Sequence, residues 1–193
     1  MSARDKIIAT FKRLVMETTY DKITVNEICD AAGVSRKTFY VHFQNKAAIV
    51  NAIVFKDIVE PMVKMNEVTP SIIGNPEIIS QLPKVENRNV YCAIQEDGAF
   101  YSRLCSMPGS IDSPLVDALT SAIQSLNLRI MKTIGYEAEA WKLDYISYYY
   151  ASGNALLIQR WIRSGMAISV DDLTELYDSM TTPFWRQLAG LSA

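Results

Sequence analysis

The chain has 193 residues, 49% of them hydrophobic and 21% charged, so it can bury a sizeable core and is too apolar for a disordered tract. Its longest uncharged run, Tyr145 to Gln159, holds only 15 residues and includes Ser147, Ser152, Gly153 and Asn154, too short and too polar to cross a bilayer. The net charge of −2 is unevenly placed: residues 1–56 carry nine basic against five acidic side chains (+4), and residues 57–193 ten against sixteen (−6). A basic head on an acidic body is the asymmetry of a nucleic-acid-binding module joined to something else. The three cysteines, Cys29, Cys92 and Cys105, are odd in number and widely spaced, which argues against a disulfide framework, and one histidine leaves no Cys/His zinc centre. The opening run MSARDKIIATFKRL mixes acid and base with no apolar leader, so the expected location is cytoplasmic.

In chain order, Ile7, Ile8, Phe11, Leu14 and Val15 recur at helical spacing and predict a first helix over about 3–19. Thr24-Val25-Asn26-Glu27 is a capping box that starts a short second helix, with Ile28, Ala31 and Ala32 facing inward. Gly33 supplies a tight turn, Ser35 caps a third helix from Arg36 to Phe43, and Asn45 caps a fourth running toward Pro61. Pro70, Gly74 and Pro76 mark Thr69–Pro76 as the main connection. Beyond it helices are expected over 77–95, interrupted near Pro83, and over 98–107 behind an Asp97 cap. Ser113-Pro114 opens a helix closed by Gly135. A long helix follows over 137–164, ended by Gly165, and Ser169 starts a last one that kinks or restarts at Thr182-Pro183. No segment reads as a strand, so the expected class is all-α, with a boundary at about residue 50: a helical head over 1–50 and a helical body over 51–193.

Residues 24–43, TVNEICDAAGVSRKTFYVHF, place a helix, a glycine turn and a second helix in about twenty residues. Ile28, Ala32, Val34, Phe39 and Phe43 bury one face of the pair. What stays outward on the third helix, Ser35, Arg36, Lys37, Thr38, Tyr40 and His42, is rich in donors and free of carboxylate, as a helix entering the major groove requires. From Thr24 to Lys46 the sequence closely resembles the helix-turn-helix DNA-binding head of the TetR family of bacterial transcriptional regulators, and the likeness extends over about residues 5–55. The resemblance implies a homodimeric repressor bound to double-stranded DNA at a palindromic operator and released by a small-molecule effector. Position by position it implies that Thr24 and the start of the second helix meet phosphate. Ser35, Arg36, Lys37 and Thr38 would face base edges or flanking phosphates, Arg36 being suited to guanine O6 and N7. Tyr40 would reach a phosphate or a thymine methyl, and His42 and Lys46 would sit on the phosphate backbone.

The body carries no comparable signature, although its helix count fits the family's ligand-binding and dimerisation domain. Tyr91, Phe100, Tyr101 and Leu104 on earlier helices, with Trp141, Tyr145 and Tyr149 on the long one, form the expected effector site, because tyrosine pairs an apolar body with a polar tip. Plain core or dimer interface is an equal reading of Tyr145 and Tyr149. Ile158, Trp161, Ile162, Leu173, Tyr177 and Phe184 form the expected dimer interface, with core an open alternative for Ile158, Trp161 and Ile162. A body that binds a protein partner, or an architectural DNA binder with no effector, stays open beside this reading. The chain offers no G-x-S-x-G, H-E-x-x-H or P-loop to accompany His42, so no catalytic residue, enzyme activity, cofactor or metal is expected.

Overall fold

Local capping chemistry sets most helix starts in the computed structural model, which describes residues 1–67, 76–105 and 113–191. Helix α1 (Ala3–Glu17) opens on a capping box in which Ser2 Oγ accepts from the Asp5 amide and the Asp5 carboxylate accepts from the Ser2 amide. Its buried side, Ile7, Ile8, Phe11 and Val15, is the one the periodicity gives. It stops two residues earlier than expected, because Thr18 turns extended and a single 3₁₀ turn, Tyr20–Lys22, follows. Helix α2 (Val25–Ala32) and helix α3 (Arg36–His42) flank Gly33, whose φ of +65° is the left-handed conformation that glycine adopts without penalty.

Asn45 Oδ1 accepts from the Ala48 amide to open helix α4 (Lys46–Val54), which runs across residue 50, where the boundary between head and body is expected. It passes through a π turn, Phe55–Val59, into α5 (Glu60–Glu67) without a break. Pro61 gives the reason: it lacks an amide proton, and its ring presses on the carbonyl four residues back. The wider turn, with the Glu60 amide reaching Phe55 O, makes room before it. The connection expected at Thr69–Pro76 lies outside the described residues, apart from Pro76, which opens α6 (Pro76–Glu96).

Helix α6 runs through Pro83, where an interruption was expected, and helix α10 (Val170–Leu188) continues through Pro183, where a kink or a restart was expected, without restarting. Packing against neighbours holds both prolines inside helices that an isolated peptide would break. Helix α7 (Gly98–Leu104) starts without the side-chain cap expected of Asp97, whose carboxylate instead accepts from Lys12 Nζ at 3.0 Å. Ser113 and Gly135 bound α8 (Pro114–Ile134) as expected. Helix α9 is shorter than expected, Ala140–Arg163, or roughly 36 Å for its 24 residues.

Every described element is helical, and no described helix is long and apolar enough to cross a membrane. One apolar core runs from Ile7 in the head to Leu173 in α10. A smaller one, around Ile130, Met131 and Trp185, lies where the end of α8, the start of α9 and the end of α10 meet. The pairs Glu77–Arg186, Lys84–Glu175 and Arg88–Asp171 show that α6 and α10 run antiparallel.

Candidate nucleic-acid interface

Phe39 is wholly buried on α3, in contact with the Phe43 ring and, edge to face, with Tyr40. That anchor fixes which side chains point away. Arg36, Lys37, Tyr40, Val41 and His42 are exposed and Thr38 is half-buried. Ser35 Oγ accepts from the Thr38 amide at 3.0 Å and pairs with Thr38 Oγ1 at 2.9 Å, so these two hydroxyls chiefly cap the helix. The Arg36 guanidinium lies over the Tyr40 ring, 6.0 Å from its centroid. The residue that the sequence reading passed over is Val41, 72% exposed on the outward side. An apolar side chain at a helical position remote from Phe39 and Phe43 was the available signal.

Thr24 is exposed at the start of α2, but its hydroxyl is already engaged. Its Oγ1 donates to Glu27 Oε2 at 2.8 Å and accepts from the Glu27 amide at 3.2 Å. The same carboxylate accepts from the Thr24 amide at 2.7 Å, and these bonds hold the Glu27 carboxyl below its usual pKa. An anion at this helix start would meet the Val25 and Asn26 amides rather than the threonine side chain.

Lys46, expected on the phosphate backbone, turns its ammonium to the protein's own backbone. Nζ donates to the carbonyls of Tyr20 at 2.8 Å, Asp21 at 3.2 Å and Ile23 at 3.0 Å, and lies 4.3 Å from the Tyr20 ring centroid. All three ammonium protons are taken by the 3₁₀ turn and the residue after it. Burial lowers the Lys46 pKa, opposed by the charges of Asp21 and Glu27.

The residues expected to form an effector site are not brought together. Tyr91, Phe100, Tyr101 and Leu104 are buried, whereas Trp141, Tyr145 and Tyr149 are 61%, 71% and 73% exposed. The inward face of α9 is instead small or polar at Ser147, Ala151, Asn154 and Ala155 and apolar at Ile158, Trp161 and Ile162, which packs the helix against α8 and leaves Trp141, Tyr145 and Tyr149 outside. The expected dimer set is corrected for the same reason. Ile158, Trp161, Ile162, Leu173 and Tyr177 lie inside the protomer, and only Phe184 of that group is partly exposed, stacked on Tyr150 at 4.2 Å. The large apolar side chains that α9 and α10 do leave outward are Trp141, Tyr145, Tyr148, Tyr149, Leu156, Leu176 and Met180.

Between head and body lies a compact junction. Lys12 Nζ on α1 donates to Asp57 in the π turn at 3.1 Å and to Asp97 before α7 at 3.0 Å, and sits 5.0 Å from the Phe100 ring centroid. Tyr101 Oη donates to the same Asp57 oxygen at 3.3 Å. Burial works against the Lys12 charge, but the carboxylates of Asp97 and Asp57 outweigh it and raise the pKa. The tip of Tyr101 and the ring of Phe100 thus both touch the groups that hold α1.

Residues 7–53 match the family model described as bacterial regulatory proteins, tetR family. No curated protein matches the chain. Among solved structures, the dihydroxyacetone kinase operon activator DhaS is 19% identical with a TM-score of 0.51, covering 99% of this chain and 98% of that one. A structure assigned to the TetR-family transcriptional regulators of Syntrophomonas wolfei str. Goettingen is 16% identical with a TM-score of 0.61, covering 97% and 95%. NalD of Pseudomonas aeruginosa, secondary repressor of the MexAB-OprM multidrug efflux pump, is 16% identical with a TM-score of 0.54, covering 92% and 94%. These likenesses extend the shared fold from the head over nearly the whole chain.

Proposed function

We propose, on the premise that this chain is a TetR-family transcriptional regulator with a DNA-binding head, that it acts as a homodimeric repressor on a palindromic operator and is released by a small molecule entering its body. The observation that carries the reading is the outward face of α3, with Arg36, Lys37, Tyr40 and His42 exposed and no carboxylate among them. Such a surface suits the negative potential and acceptor-rich base edges of a major groove. Arg36 is assigned to a guanine edge, Lys37, Tyr40 and His42 to phosphates and flanking bases, and Ser35, Thr38 and Thr24 to holding the two helix starts. Selection of bound duplexes from random DNA tests this, with affinities then measured against salt. Arg36→Ala should cost about 1–3 kcal/mol at one base pair of each half-site and little elsewhere. A protein that selects no sequence removes the reading.

Dimerisation is assigned to the aromatic outer face of α9 and α10 rather than to the buried residues expected from sequence. Tyrosine and tryptophan side chains exposed in a row are what interfaces enrich, and a patch of this kind is uncommon on a lone protomer. The double variant Tyr145→Glu/Tyr149→Glu should sediment as a monomer while keeping its helical circular dichroism, because both rings are exposed in the protomer. A variant that stays dimeric removes this face from the interface. A wild-type monomer turns the face over to a different partner.

The effector reading rests on the buried group Tyr91, Phe100, Tyr101 and Leu104. A ligand that displaces Phe100 or Tyr101 acts on the Lys12–Asp57–Asp97 junction and so on the seat of α1. It shifts the head only if it binds the released state more tightly than the DNA-bound one.

A further inference from the structure

Viewed down α3, successive residues are about 100° apart, so Lys37 and Val41 lie about 160° and 200° from Phe39 and form the crest of the helix. Their spacing of four places them side by side along it. Tyr40 flanks the crest, its ring packed against Phe39 at 5.4 Å and with the Arg36 guanidinium 6.0 Å from its centroid, and it carries a polar hydroxyl. Val41 brings the aliphatic contact of this surface, 72% exposed among cationic and polar neighbours. It has no donor and no acceptor, and branching at Cβ holds its two methyls in a narrow range of positions. Of the groups that base pairs present in the major groove, the one that complements such a side chain is the C5-methyl of thymine.

We infer that Val41 is a specificity-determining residue that reads one thymine methyl in each half-site, beside the cationic contact of Lys37. This rests on the DNA-binding reading above. Bringing two methyl-sized groups out of water together gives roughly a threefold to fivefold preference per contact. A selected operator should then carry a thymine at one fixed position of each half-site, next to the base pairs that respond to Arg36→Ala.

The test uses the full-length protein and a duplex selected from random DNA. Each thymine of one half-site is replaced in turn by deoxyuridine, which pairs identically and lacks the methyl. The wild type should bind one of these duplexes roughly threefold to fivefold more weakly and the others unchanged. Val41→Ala should bind the thymine and deoxyuridine forms alike, to within about 1.5-fold, since it loses both γ-methyls. Tyr40→Phe should keep the wild-type preference and weaken binding to every duplex. The inference is overturned if no deoxyuridine weakens wild-type binding, if Val41→Ala retains the full preference, or if Tyr40→Phe abolishes it. Failure to select any duplex overturns the DNA-binding reading itself, a result distinct from specific binding that is indifferent to methyls.

Discussion

Asn154→Ala is expected to destabilise the protein by about 2–6 kcal/mol, because it strands two buried polar groups at once. Asn154 is fully buried on α9. Its Oδ1 accepts from Tyr91 Oη at 2.7 Å, and its Nδ2 donates to Asn87 Oδ1 at 2.6 Å. Asn87 Nδ2 in turn donates to the Pro83 carbonyl at 2.7 Å. The chain of bonds ties α6 to α9 at one register and attaches to α6 at its proline. Truncation leaves the tyrosine hydroxyl without its acceptor and the Asn87 carbonyl without its donor, in a place water does not reach. Melting temperature should fall by roughly 5–20 °C for a chain of this size. Tyr91→Phe removes one hydroxyl and should cost only about 1 kcal/mol. Added to Asn154→Ala, it should cost less than the sum, since the stranded hydroxyl is then gone. Additive losses in thermal or denaturant unfolding would show that the three side chains do not act as one network.

That network was not legible in the sequence, whereas the head was, and the difference is one of range. Ser2, Thr24, Ser35 and Asn45 cap helices through bonds to residues three positions on, so each start can be read from a few adjacent letters. Gly33 and Gly135 are likewise local, each needing a positive φ at its own position. The orientation of α9 is set by what lies across from it. Its run YYASGNALL places large rings and small residues on adjoining faces, and either could face a core. Asn154 decides the matter through partners 63 and 67 positions away. Pro83 was read as an interruption, Pro183 as a kink or restart and Pro61 as the far end of the fourth helix from local letters alone, whereas the packing of neighbours and one widened turn carry the helices on through them. The Lys12 junction, which joins residues 45 and 85 positions apart, had no local sign at all.

Lys46→Met should lower stability by about 1.5–3 kcal/mol and leave the salt dependence of DNA binding as it is in the wild type. The methionine keeps an unbranched stem of similar length against the Tyr20 ring but donates nothing. Three carbonyls, of Tyr20, Asp21 and Ile23, then lose the cation that draws them together. Those carbonyls belong to the first two residues of the 3₁₀ turn Tyr20–Lys22 and to Ile23 just after it. The turn in turn delivers the chain into the Thr24 capping box and so sets where α2 begins. Loosening it should reach the DNA only through the fraction of heads that remain ordered. A phosphate contact behaves differently: its removal weakens binding to all sequences and reduces the slope of log affinity against log salt by about one, as Lys37→Ala should do. Thermal unfolding and a salt titration of operator binding, run on Lys46→Met and Lys37→Ala together, separate the two roles. If Lys46→Met melts with the wild type and reduces the salt slope by about one, the ammonium leaves its carbonyls for a phosphate when DNA binds. The clamp would then be a resting place rather than a structural bond.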